Sequence, residues 1–259
     1  MDRTKKAWIN ALFLAVTLAI NTLGALGIIN GLSQKEISDM YLTLITPGPA
    51  TFSIWSVIYS LIIISIIAMI VKKNDSYYQQ AVDEITGLFR ISCILNILWI
   101  VSFSYVLVEL SLLFIFAFVI SLALLGRKLL KIQEKKRWLL PLTFGFYTGW
   151  LFIATVVNTA AALVKLEWNG FGISQETWAV IILIVAIVLV FAVLLKLRNA
   201  VFPLPVAWAY FGIYQFLSMP EGFNGAYPLV QTVALAGMAV LIGLSAIQLY
   251  RNRFELLGR

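Results

Sequence analysis

Apolar residues run through this chain in blocks of about 20, separated by short segments that gather almost all of the charge. A block of that length, wound as an α-helix, crosses a hydrocarbon core of roughly 30 Å. Eight blocks are readable, at about residues 8–31, 50–71, 86–107, 110–126, 139–164, 178–196, 203–218 and 228–249. The pattern predicts an all-α fold, a polytopic transmembrane helical bundle of about eight spans. The fourth and seventh blocks are the shortest. Pro203 and Pro205 open the seventh and Pro220 closes it; proline suits a helix start, where its missing N–H would be unpaired anyway. No stretch reads as a soluble domain.

Threading the blocks through a membrane sorts the cations. With the N-terminus inside, the cytoplasmic segments carry Arg3, Lys5, Lys6, Lys72, Lys73, Arg90, Arg127, Lys128, Lys131, Lys135, Lys136, Arg137, Lys196, Arg198, Arg251, Arg253 and Arg259, and the outer segments carry only Lys35 and Lys165. Lys and Arg concentrate on the cytoplasmic side of membrane proteins, whereas Asp and Glu have little influence on orientation. The split therefore predicts a multi-pass protein of the cell membrane with both termini cytoplasmic, and dropping one span would scramble it. The first block extends for more than 20 residues with no clear small-x-small site after it, so it reads as a span rather than a cleaved signal peptide.

Composition narrows the chemistry. Hydrophobic residues make up 61% and charged residues 12% of the chain, and there is no histidine. That removes His-based acid–base and nucleophilic catalysis and most zinc and haem ligation. The single cysteine, Cys93, lies inside an apolar block, where it reads as a small buried residue. Acidic residues fall in loops and at span ends, so no catalytic constellation assembles from spacing and an enzyme is not expected. No cofactor is implied. The net charge of +7 is explained by basic loops facing anionic lipid rather than by nucleic acid.

Polar and aromatic residues recur within three blocks at helical spacing. Phe52, Trp55 and Tyr59 share one face of the second span. Asn96, Trp99 and Phe103 share a face of the third, and Tyr147, Trp150, Ala154 and Asn158 a face of the fifth. An amide facing lipid lacks partners, so these stripes are expected to point into the bundle. They are either interhelical packing and hydrogen-bond glue or the lining of an aromatic pocket with two orienting amides. Trp8, Trp138, Trp168 and Trp178 lie at span ends, where interfacial anchoring accounts for them.

The same stripes carry a resemblance. Residues 41–59 read YLTLITPGPATFSIWSVIY, residues 95–103 LNILWIVSF and residues 150–158 WLFIATVVN. They resemble the signature segments of the TspO/peripheral benzodiazepine receptor family, the tryptophan-rich sensory proteins. The matching positions are Tyr41, Leu44 and Pro47, then Trp55 and Tyr59, then Leu95, Asn96 and Trp99, and finally Trp150, Ala154 and Asn158. The resemblance covers about residues 8–165. It implies a five-helix bundle that binds porphyrins, and in some members sterols and synthetic ligands, with roles in tetrapyrrole transport and sensing. On this resemblance the candidate ligand-binding residues are Tyr41, Trp55, Tyr59, Asn96, Trp99, Tyr147, Trp150, Ala154 and Asn158.

The chain departs from the family pattern in the first outer loop. Met40 stands where the family usually has Trp, Thr46 where it has a basic residue, and Pro47-Gly48-Pro49 where it has a longer segment with another Trp. Lys35 is the nearest cation left to meet a porphyrin carboxylate. Residues 1–165 thus form a five-helix unit, and residues 166–259 add a three-helix segment with an aromatic face of Trp208, Phe211 and Gln215. That segment is an accessory bundle, a surface for a homodimer, or part of a transport path. The leading expectation is a membrane protein that binds, and senses or carries, a flat hydrophobic molecule such as a porphyrin. The alternative is the permease subunit of a transporter.

Overall fold

Local chemistry sets the ends of the helices, and the apolar blocks set their cores. The computed structural model describes residues 2–134 and 136–258; Lys135 and Arg259, two of the expected cytoplasmic cations, lie outside them. The order is α1 (Arg3–Ala25), α2 (Gln34–Met40), a 3-10 turn (Pro49–Ser53), α3 (Ile54–Val71), α4 (Ser76–Ser104), α5 (Val108–Lys131), α6 (Leu139–Lys165), α7 (Gln175–Leu197), α8 (Pro203–Ser218) and α9 (Pro228–Arg251). Seven of these helices, taking the 3-10 turn together with α3, are long and apolar enough to cross a membrane. The eighth expected span is present as α8, but its 16 residues reach about 24 Å. It need not reach further, because most of its surface lies against protein: Val206, Ala209, Tyr210, Ile213 and Leu217 are all buried. The chain is an all-helical, multi-pass membrane protein.

Three expected boundaries move, each for a visible reason. The first span ends at residue 25 rather than 31, because Gly27 takes a left-handed conformation (φ 71°) that only glycine adopts freely. The chain then returns through α2, whose start carries a capping box between Ser33 and Glu36. The third span starts ten residues earlier than expected, at Ser76. Asp75 caps it by accepting from the Tyr77 N–H (2.9 Å). Its first turns bury Tyr77, Tyr78, Ala81, Val82 and Ile85, with charges only on the other face, so hydropathy alone underestimates it. α5 likewise continues to Lys131 on an apolar face that buries Leu125 and Leu129.

Polar contacts fix which ends lie together. Arg3 and Lys6 both reach Asp83 at 2.6 Å, Lys128 reaches Glu84 (3.5 Å), and Arg137 reaches Asp75 (2.9 Å). The Arg137 guanidinium holds the Asp75 carboxyl below the usual carboxylate range. The Lys136 N–H donates to the Glu255 carboxylate (3.2 Å), and Asn199 bridges Leu257. Both termini and the basic loops therefore share one end of the bundle. Lys35 and Lys165 sit at the other, where Lys165 pairs with Glu109 (2.7 Å) and donates to the Val106 carbonyl (2.8 Å).

Apolar side chains cover the outside as well as the core. On α7, Ala179, Leu183, Ala186, Val190 and Leu194 are buried at spacings of three and four, while Ile184, Val185, Val188 and Phe191 are exposed on the opposite face. Such a helix has a partner on all sides only in lipid. α4 packs chiefly on α5 and α1, α5 on α6, and α8 on α9, and one core cluster runs from Leu14 through Leu151 and Tyr210 to Leu241. α8 locks onto the first half at the loop before α3. The Gly48 N–H donates to the Gly212 carbonyl (3.0 Å), and the Trp208 indole donates to the Thr51 carbonyl (2.9 Å). A Cβ on Gly212 would stand 1.9 Å from Thr51 Oγ1, so this approach requires glycine.

Candidate ligand cavity

The three stripes meet. Trp55 stacks on Tyr59 (ring centroids 5.1 Å apart) and lies within 6.3 Å of Trp99, Tyr147 and Trp150. Phe52 sets its edge against Trp150 at 6.1 Å. Edge-on and offset pairs of this kind are the favoured arrangements of aromatic rings. They bring α3, α4 and α6 together around a small cavity of about 80 Å³. Trp55, Trp99, Phe103, Trp150, Ala154 and Asn158 line it. Gln34 and Ser38 of α2, Pro47 and Phe52 of the following segment, Ile153, Val157 and Ala161 of α6, and Ala209 of α8 add to its walls.

Beside the cavity runs a chain of hydrogen bonds through four helices. The Tyr59 hydroxyl donates to Asn21 Oδ1 (2.7 Å). Asn21 Nδ2 donates to Asn96 Oδ1 (2.5 Å), and Asn96 Nδ2 donates to the Tyr147 hydroxyl (3.3 Å). Asn21 and Asn96 are buried. The arrangement satisfies amides that would be costly in hydrocarbon. Asn158 is also buried; its Oδ1 accepts a long bond from Ser111 (3.4 Å).

The cavity side is less well satisfied. The indole N–H groups of Trp99 and Trp150 and the side-chain amide nitrogen of Gln34 are buried, and none has an acceptor among the described residues. All three residues line the cavity. Buried donors are almost always paired, so three unpaired ones on residues of one cavity wall make it the candidate site. Among the described residues no cation lines the cavity: Lys35 pairs with Asp39 on the exposed side of α2.

The chain matches the family model described as TSPO-like protein over residues 7–247. It belongs to that family. No curated protein and no solved structure matches it. The match runs past residue 165, through α7 and α8 and most of α9, so membership of the TSPO-like family extends over the segment that the motifs alone do not reach.

Within this TSPO-like chain the nine candidate residues fall into three groups. Trp55, Trp99, Trp150, Ala154 and Asn158 line the cavity. Tyr59, Asn96 and Tyr147 form the hydrogen-bonded wall beside it. Tyr41 stands apart, half-buried against Val108, Ala161 and Ala162. Two contributors were not singled out from sequence. Asn21 is one; its signal was the recurrence of Asn10, Leu14, Thr17, Asn21 and Gly24 along one face of α1, all of them buried. Gln34 is the other, and nothing in its local pattern marks it. Trp208 and Phe211 do lie together (5.8 Å), but Trp208 serves the contact with Thr51.

Proposed function

We propose that this TSPO-like protein binds a flat hydrophobic molecule, a tetrapyrrole or one of similar shape, between α3, α4 and α6, and acts as a sensor or carrier rather than as an enzyme. The observation that supports the reading is an aromatic-lined cavity whose walls include three residues with unpaired buried donors, Trp99, Trp150 and Gln34. A ligand with carbonyl or carboxylate oxygens on an aromatic body meets both requirements: ring faces from the tryptophans and acceptors for the donors. Because the donor set is neutral, a ligand whose acceptors are uncharged fits it with the smaller desolvation cost. The cavity of about 80 Å³ is below the roughly 300 Å³ at which small-molecule sites begin. Binding therefore requires the walls to part, and α2 is the shortest helix among them, with Lys35, Glu36, Asp39 and Met40 exposed.

The test is tryptophan quenching by a panel of porphyrins, haem and sterols with the purified protein. Trp150→Ala removes both ring and donor and should weaken binding by about 2 kcal/mol, roughly thirtyfold. Trp150→Phe keeps a ring and should cost about 1 kcal/mol. Trp138→Ala, at an exposed span end, should leave affinity unchanged. Equal loss in Trp150→Ala and Trp138→Ala, tracking thermal stability, would mean that the stripes are packing.

A further inference from the structure

A second cavity, larger than that at Trp150, lies at the end of the bundle away from the termini. It holds about 350 Å³ and is half-enclosed between the end of α6, the start of α7 and the stretch 42–45. That volume falls within the range of small-molecule sites. Leu44, Ile45, Leu163 and Ile182 give it aliphatic walls, and Thr43, Asn169 and Gln175, the indole nitrogens of Trp168 and Trp178, and the backbone supply its polar atoms. Among the described residues that line it, none carries a charge.

Its mouth is built from aromatic rings on an unusual loop. Gly170, Phe171 and Gly172 take three consecutive left-handed conformations (φ 62°, 55° and 75°). For Phe171 that conformation is uncommon and persists only where surroundings impose it. The Trp178 indole donates to the Gly170 carbonyl (2.8 Å) and holds the loop over the cavity. Trp168 lies 5.1 Å from Trp178 and 5.3 Å from Phe171, which is exposed. Trp178 thus spends its only donor on the loop and offers the cavity a ring. Anchoring at the membrane interface describes these tryptophans only in part, because both line the cavity.

We propose that this cavity is a second binding site, distinct from that at Trp150, and that it takes the chain of an uncharged single-chain amphipath from the adjoining leaflet. The aliphatic walls suit a slender apolar body, and the neutral polar atoms suit a hydroxyl or ester head. A charged head would find no counter-ion there. Aromatic rings at the mouth lie where the headgroup boundary meets the end of a span, which opens a route from the leaflet.

A brominated monoacylglycerol, added to the purified full-length protein in micelles, quenches tryptophans that its chain touches. A saturable component is expected. The double variant Trp168→Phe/Trp178→Phe keeps rings at the mouth and should lose that component. Ala179→Phe, which fills the cavity, should weaken binding at least tenfold and leave quenching by porphyrin or haem unchanged. Brominated lysophosphatidic acid, with the same chain and an anionic head, should bind several-fold more weakly. The proposal is overturned by saturable quenching that persists at full amplitude in the double variant, by unchanged affinity in Ala179→Phe, or by an anionic probe that binds as tightly as the neutral one.

Discussion

Asn21 and Asn158 are both buried amides, yet they occupy different positions in the network of contacts. Asn21 accepts from Tyr59 and donates to Asn96 and to the Thr17 carbonyl. Its removal leaves a tyrosine hydroxyl and an amide oxygen without partners in the middle of the bundle. Asn158 makes one long bond and otherwise faces the cavity. An intramembrane hydrogen bond averages about 0.6 kcal/mol, but an orphaned buried group costs about 1–3 kcal/mol. Asn21→Ala should therefore destabilise the folded protein by about 2 kcal/mol and Asn158→Ala by less than 1, as measured by denaturant unfolding in micelles. The reverse order would mean that the four-helix chain of bonds is not what holds these stripes together. Whether a stripe was legible in sequence followed from the same chemistry. Tryptophans and amides at spacings of three and four mark Trp99, Trp150 and Asn158 because few other arrangements hide an amide from lipid. Asn21 shares its face with Thr17 and Leu14 rather than with aromatic rings, so its periodicity is present without chemical emphasis. The unpaired donors depend on tertiary placement, which spacing does not encode.

At the scale of elements, the helices follow from apolar run length, and their ends follow from charge, glycine and caps. The extension of α4 to Ser76 was hidden because its buried face is made of Tyr77, Tyr78 and Ile85 on a turn that also carries Asp83 and Glu84. Lateral docking is the part that run length cannot encode. α8 meets the loop before α3 through one glycine, and that contact lends Ala209 to the cavity wall. Gly212→Ala should destabilise the protein by about 1–3 kcal/mol, the usual cost of overpacking. Thr51→Ala alone should be close to neutral, because Thr51 Oγ1 has no hydrogen-bond partner among the described residues. The double variant should recover part of the loss, since the nearest clash at 1.9 Å is with that hydroxyl, while Thr51 Cβ remains at 2.8 Å. A thermodynamic cycle of the four proteins isolates the coupling. Strict additivity would mean that α8 is free to move away from the loop, and that Ala209 is no fixed part of the wall.

For the whole molecule, the number of traversals decides on which side every loop lies, and α8 is the element on which that number turns. By length it falls short of a bilayer core, and counting only the seven long helices would put the two termini on opposite sides. The contacts argue for eight traversals. The Glu255 carboxylate accepts from the Lys136 N–H, Asn199 bridges Leu257, and Arg3 pairs with Asp83, so the N-terminus, the α5–α6 loop, the α7–α8 loop and the C-terminal tail gather at one end. Eight traversals also keep the basic loops together, whereas seven would send Arg251 and Arg253 across to join Lys35 and Lys165. A short helix can make the crossing because α9 and α6 pack on it and supply the surroundings that lipid otherwise would. The positive-inside rule then predicts that this common end faces the cytoplasm. Reporter fusions in the cell membrane after residues 40, 170 and 223 should report outside, and those after residues 75, 132, 200 and 259 inside. The fusions at 200, 223 and 259 bracket α8 and α9. If 200 and 223 report the same side, α8 does not cross, and the C-terminus must then lie opposite the N-terminus. Alternation at all three positions would establish that the sixteen-residue helix is a true span, carried across by its neighbours in the bundle.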